Sequence, residues 1–296
     1  MPPDLADDLA RTARLADGRV LGYASLGRSD GVPLIWFHGT PSSRLEAIWL
    51  DRAAEVAGWW LLAFDRPGHG LSSPHRGATL SDVATDVAAL ADHLGLDEFA
   101  VVGYSGGAAA ALATAAVLGS RVGIVGLVSP WGPPDRPGAY DGVAWSEWLS
   151  DRVAGRYPIV TQGLFAGMAL ALTLVPGAMA RVLARRLEGA GWTDDRTGSL
   201  APETLGPIRE SLRQGGAGPA QDLHQIVVPW GFDLASVRCP VRVWHGDQDP
   251  EIPLHHGRYL AGAVPDGHLE VMAGGDHLAL FAHDDEILTD LAAAWG

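Results

Sequence analysis

AVVGYSGGAAAALATAA (residues 100–116) joins an apolar run, one serine among glycines and an alanine-rich stretch within seventeen positions. The apolar part reads as a buried strand, and the small-residue run from Gly106 to about Leu118 reads as a helix. Between them Gly103-Tyr104-Ser105-Gly106-Gly107 fits G-x-S-x-G, a pattern that gains meaning when a strand precedes it and a helix follows. A serine at the tip of so sharp a turn adopts a strained backbone, and its neighbours must be nearly free of side chains to avoid clashes. The helix that follows points free N–H groups and its positive end toward any oxyanion forming nearby. Ser105 is therefore the candidate nucleophile, and the Gly106 backbone N–H a candidate oxyanion donor.

Working outward, short apolar runs alternate with helical patterns, which predicts an α/β chain with a mostly parallel sheet and helices on both faces. Residues 12–27 read as an N-terminal hairpin. VPLIWF (32–37), WWLLAFD (59–65), FAVVGY (99–104) and VGIVGLVSP (122–130) read as strands, with helices over roughly 45–57 and 79–96. The second helix opens with Thr79 and has Asp82 three residues on, a capping arrangement. The rhythm stops after Pro130 and resumes with PVRVWHGD (240–247), a helix near 254–263, HLEVMA (268–273) and a last helix near 278–294. The domain reading is a core made of residues 1–130 and 234–296, interrupted by a helical insertion over 131–233.

A serine hydroxyl is a weak nucleophile until a base takes its proton, and that base needs an orienting acid. Among eleven histidines, His277 alone falls in the loop after the last strand. HGDQDPEIP (245–253) follows the strand before it and offers Asp247, Asp249 and Glu251. A carboxylate at the C-terminal end of such a strand reaches the crevice where these sheets bind ligands. Asp249 is the preferred acid, and Asp247 is expected to stabilise the turn through its own backbone. HGTP (38–41) follows the first long strand and supplies the Thr40 N–H as the second oxyanion donor. His38, Gly39 and Tyr104 adjoin these loops. Together with Trp131, Trp145, Trp148, Phe165 and Met168 they are the candidate substrate contacts, although an apolar stripe in a helical segment is also the pattern of its own core.

Taken together, HGTP, DRPGHGLS (65–72), GYSGG, HGDQDP and GGDH, in this order, resemble the α/β-hydrolase superfamily over roughly 18–130 and 238–296. The resemblance implies an α/β-hydrolase fold, a structural role for the DRPGHGLS turn, and a roofing role for the inserted helices. It also speaks against epoxide hydrolase or dehalogenase chemistry, which in this superfamily uses an aspartate where this chain has Ser105. The chain departs from the usual Gly-x-Gly-His pattern, having Gly275-Asp276-His277.

Composition narrows the function further. The formal charge of −14 speaks against nucleic-acid binding, which needs a basic surface. All 21 basic residues are arginine, so lysine-based catalysis is excluded. The single cysteine, Cys239, permits no intramolecular disulfide and suits a reducing cytoplasm. The acidic start, MPPDLADDLART, lacks a signal-peptide pattern. The uncharged stretch Ile159–Ala180 approaches membrane-spanning length, but Pro176-Gly177 breaks it, and buried or lid helices are the favoured reading. The resulting expectation is a serine hydrolase cleaving an ester of a small, apolar or weakly polar substrate, with no metal and no organic cofactor. A lactonase, thioesterase or carbon–carbon bond hydrolase stays open, as does a non-hydrolytic binding or cyclisation protein on the same fold. The oligomeric state is not legible.

Overall fold

A computed structural model of the chain describes residues 3–178 and 205–295. Met179 and Trp192, which from sequence continue the apolar pattern of the insertion, and Arg181, Arg185 and Arg186, whose helical spacing reads as a solvated face, lie outside the described residues. Eight strands form one sheet among the described residues, in the order β1-β2-β4-β3-β5-β6-β7-β8. The hairpin β1 (Arg11–Arg14) and β2 (Val20–Gly27) is antiparallel, and β2 also pairs antiparallel with β4 (Trp59–Phe64). From β4 onward, β3 (Val32–Phe37), β5 (Phe99–Tyr104), β6 (Val122–Val128), β7 (Val241–Gly246) and β8 (Gly267–Met272) run parallel. The sheet is thus the mostly parallel one that the strand–helix alternation predicts.

β5, at the centre, is buried at every position, as expected of a continuous apolar strand covered on both faces. On one face pack α3 (Leu80–Leu94), α4 (Gly107–Leu118) and, in the numbering used here, α9 (His255–Ala263), through Val83, Val87, Leu90, Leu260 and the α4 alanines. On the other face lie α2 (Asp51–Ala57), α10 (Ala279–Ala282) and α11 (Asp284–Trp295), through Ala53, Ala54, Leu280, Ile287 and Leu291. Thr79 caps α3 as the sequence suggests: its hydroxyl accepts the Asp82 N–H at 3.3 Å, and the Asp82 carboxylate accepts the Thr79 N–H at 2.7 Å. The helix expected over 45–57 divides into a 3₁₀ segment, Arg44–Leu50, and α2. The last helix likewise divides at His283 into α10 and α11.

Between β6 and β7 the described elements are helical: α5 (Trp145–Arg156), α6 (Pro158–Leu174), α7 (Gly206–Ser211) and α8 (Ala217–Val227). They hold a small core of their own, with Phe165, Leu172, Leu205, Leu212 and Ala220 buried and Met168 packed against them. α6 leaves Ile159, Leu164, Leu170 and Leu174 exposed. Among the described residues no helix is long and apolar enough to cross a membrane.

Candidate active site

The C-terminal ends of the parallel strands share one edge, so loops far apart in the chain meet there. Ser105 follows β5 with φ at 52°, the left-handed region that strains a residue with a side chain. Its surroundings enforce that geometry. A Cβ at Gly107 would stand 2.2 Å from the Phe37 carbonyl oxygen, and one at Gly103 would stand 2.7 Å from the Ala108 Cα. The glycines therefore let α4 approach β3 and β5 and fix the serine at the head of the helix.

His277 reaches this serine from the loop after β8. Its Nε2 is 3.0 Å from the Ser105 Oγ, and its Nδ1 is 2.8 Å from the Asp249 Oδ2. A carboxylate only accepts, so Nδ1 carries the proton and Nε2 is left to accept from the serine hydroxyl. Asp249 lies in the loop after β7, and its Oδ1 accepts the Glu251 and Ile252 N–H groups, each at 2.9 Å. The buried His245 donates from Nε2 to the Ile252 carbonyl at 2.8 Å and lies 3.6 Å from the Asp249 carboxylate. Burial works against the charge of Asp249, but the nearby His245 and the hydrogen bonds from His277 and the Ile252 N–H outweigh it and bring the carboxyl down to about 2. Asp247 instead accepts the Gly274 N–H at 2.7 Å and ties the β7 and β8 loops together.

Thr40 and Gly106 adjoin one another: a Cβ at Gly106 would meet the Thr40 Oγ1 at 2.7 Å. Among the described residues neither backbone N–H has an acceptor, which leaves two donors free beside the Ser105 hydroxyl. The loop carrying Thr40 is braced from several sides. Glu46 accepts the Gly39 N–H at 3.0 Å and the Trp36 indole N–H at 3.0 Å. Arg66, almost fully buried, donates to the His38 carbonyl at 2.6 Å, the Gly39 carbonyl at 3.1 Å and the Thr40 hydroxyl at 3.0 Å. Its guanidinium also grips Asp222 of α8 in a two-pronged pair at 2.6 and 2.7 Å. The Thr40 hydroxyl donates to the same carboxylate at 2.5 Å.

The cleft above Ser105 has a volume of about 100 Å³ and is lined by Thr40, Gly106, His277, Trp131, Leu223, Ile226, Val227 and Ile252, and by three carboxylates, Glu147, Asp151 and Glu251. Of the eight candidate substrate contacts, Trp131 is on this lining and the other seven are not. His38 is wholly buried beneath it, held neutral by burial and by the nearby Arg66 charge. Gly39 is fixed by Glu46, and Tyr104 lies behind His277, donating its hydroxyl to the His277 carbonyl at 3.1 Å. Phe165 and Met168 belong to the small core between helices. Trp145 is 72% exposed, and Trp148 carries the Arg152 guanidinium 5.4 Å from its ring. An apolar stripe in a helix does not say which of its neighbours it faces, and here the neighbours are other helices or solvent. The lining acids and the Arg66–Asp222 pair were not singled out for these roles from sequence, since nothing local marks a charge that is to be buried.

This geometry can move a proton from a serine hydroxyl to an imidazole whose cation an ionised carboxylate stabilises. The alpha/beta hydrolase fold family matches residues 32–284. The chain belongs to the α/β-hydrolase-fold family. This hydrolase-fold chain is 34% identical over 300 residues to a non-heme chloroperoxidase from Streptomyces lividans, covering 95% of this chain and 98% of the relative. It is 31% identical over 233 residues to a dihydrolipoyllysine-residue acetyltransferase component of an acetoin cleaving system from Cupriavidus necator; that match takes in 78% of this chain and spans 54% of that longer relative. In three dimensions it resembles an esterase from Exiguobacterium antarcticum with a TM-score of 0.71 at 15% identity, over 97% of this chain and 99% of the other, which speaks for the fold alone.

Proposed function

We propose that this α/β-hydrolase-fold protein hydrolyses a carboxylic ester of a small substrate through an acyl-enzyme on Ser105. The observation that carries the reading is the unbroken chain from Asp249 through His277 to the Ser105 Oγ, with contacts of 2.8 and 3.0 Å, opening on a cleft. The serine Oγ attacks the ester carbonyl while His277 Nε2 takes its proton. The oxyanion is held by the Thr40 and Gly106 N–H groups at the positive end of α4. The imidazolium then protonates the departing alkoxide, leaving Ser105 acylated. Water, deprotonated by the same nitrogen, attacks the acyl carbon and releases the acid. Residues 131–233 act in this reading as a cap whose α5 and α8 close the cleft.

The resemblance over nearly the full chain to a protein named a chloroperoxidase favours one second reading. Hydrogen peroxide in place of water would attack the acyl-enzyme, giving a peroxycarboxylic acid and free Ser105. A panel of p-nitrophenyl esters from acetate to octanoate, assayed with and without peroxide, tests both. Turnover is expected to favour the shortest acyl groups and to fall at least about 10³-fold in Ser105→Ala. Equal turnover in that variant would refute a serine acyl-enzyme.

A further inference from the structure

Acidic side chains stand out on the described lining of the cleft. Glu147, Asp151 and Glu251 all border it, and among the described residues no arginine does. Glu251 stands 3.9 Å from the His277 Nε2, next to the reacting atoms. Asp151, on α5, is only 7% exposed, and its Oδ2 is shielded from solvent without a hydrogen-bond partner. Its sequence neighbour Arg152 does not answer that charge. The guanidinium sits over the rings of Tyr140 and Trp148, at 5.6 and 5.4 Å, and makes no ion pair with Asp151. A buried carboxylate oxygen without a donor is costly, and native proteins rarely keep one unless something else supplies the donor. Burial and the like charge of Glu147 push the Asp151 carboxyl up to about 7, so the site is held at a cost to the fold. A perturbed acid in a cleft beside candidate catalytic groups is the pattern of a functional position.

We infer that Asp151, with Glu147 and Glu251, forms a subsite for a protonated primary amine carried by the substrate close to its scissile carbonyl. An ammonium group brings three N–H donors and the opposite charge, which suits an unpaired carboxylate flanked by two more. Neutral hydroxyl groups satisfy the hydrogen bond and leave the charge unanswered; anionic substrates are repelled by three carboxylates. The cleft of about 100 Å³ suits a short chain at the reacting end, which places the amine only a few bonds from the ester. The substrate class is thereby narrowed from small esters to short amino-bearing ones.

This inference rests on the hydrolase reading only for the word substrate, and its test is kept separate from turnover. Calorimetric titration of the Ser105→Ala protein at pH 8 with n-butylammonium and with 1-butanol compares cation and neutral isostere at the same shape. The expected result is at least tenfold tighter binding of n-butylammonium, with that preference falling at least fivefold once Asp151→Asn is added. Should that double variant fail to fold, adding Glu147→Gln, at an exposed position, is expected to lower the preference in the same direction by at least twofold. Equal binding of amine and alcohol, or a preference unmoved by both variants, overturns the subsite. Ester turnover on neutral substrates with no amine preference would sink this inference alone. Amine binding without any ester turnover would sink the hydrolase reading alone.

Discussion

Asp249 and Asp151 show how the surroundings of one functional group decide its chemistry. Both are buried, and burial opposes ionisation in each. Asp249 receives N–H donors from His277 and the backbone, with His245 nearby, and is brought down to about 2, whereas Asp151 receives none, faces Glu147, and rises to about 7. The consequences for stability have opposite signs. The depressed Asp249 contributes stability above the ordinary carboxyl range near 3.8, and this is lost as pH falls from there toward 2. Asp151 in the folded state stays protonated after the unfolded chain has ionised, so stability is lost as pH rises from about 4 through about 7. Asp151→Asn removes that penalty. Relative to wild type it is expected to gain stability progressively between pH 4 and pH 8, up to about 4 kcal/mol from a shift of roughly three pKa units. Urea denaturation at several pH values measures it. A gain of the same size at every pH would mean that the fold does not shift the ionisation of Asp151.

At the scale of elements, α8 and the turn after β4 act as one unit. Asp222 lies 156 positions from Arg66 in the chain, yet their two-pronged pair locks α8 against the loop that bears Thr40. The close approach is visible in the backbone too, where a Cβ at Gly218 would stand 2.4 Å from the Gly68 carbonyl oxygen. Removing one partner leaves the other as an uncompensated buried charge, which typically costs 3–5 kcal/mol. Asp222→Ala is therefore expected to lose about that much stability in chemical denaturation, and to lower kcat more than it raises KM, because the Thr40 donor is no longer held. Unchanged stability together with unchanged kcat would mean that α8 does not brace the oxyanion loop. This pairing was out of reach from sequence. DRPGHGLS reads as an ordinary turn and RQGGAGPAQ (213–221) as a flexible joint, whereas its last five residues open α8; burial of the charges there depends wholly on docking between distant segments. The strands and α3 were legible for the opposite reason, since apolar runs and the Thr79–Asp82 cap are local signals. The division of the helix at Leu50 and the break at His283 carry no glycine or proline to mark them.

Across the whole molecule, the sheet brings together what the chain holds apart. Ser105, Asp249 and His277 could be picked from sequence because each sits where an apolar strand gives way to a loop, and a parallel sheet sends all such loops to one edge. The lining of the cleft could not. Trp131 lies just beyond β6 and was legible, whereas Trp145, Trp148, Phe165 and Met168 lie on helices whose facing depends on one another. The acids on α5 were hidden among ordinary surface charge. The central claim is that the hydroxyl at 105 is made reactive by the imidazole at 277. Intact-mass analysis after exposure to a fluorophosphonate probe tests it most directly. One phosphonyl adduct is expected on the wild-type chain, mapped to the peptide containing Ser105, with none on Ser105→Ala and labelling slowed at least about a hundredfold in His277→Ala. An unmodified wild-type chain, or an adduct that persists in Ser105→Ala, would contradict the account.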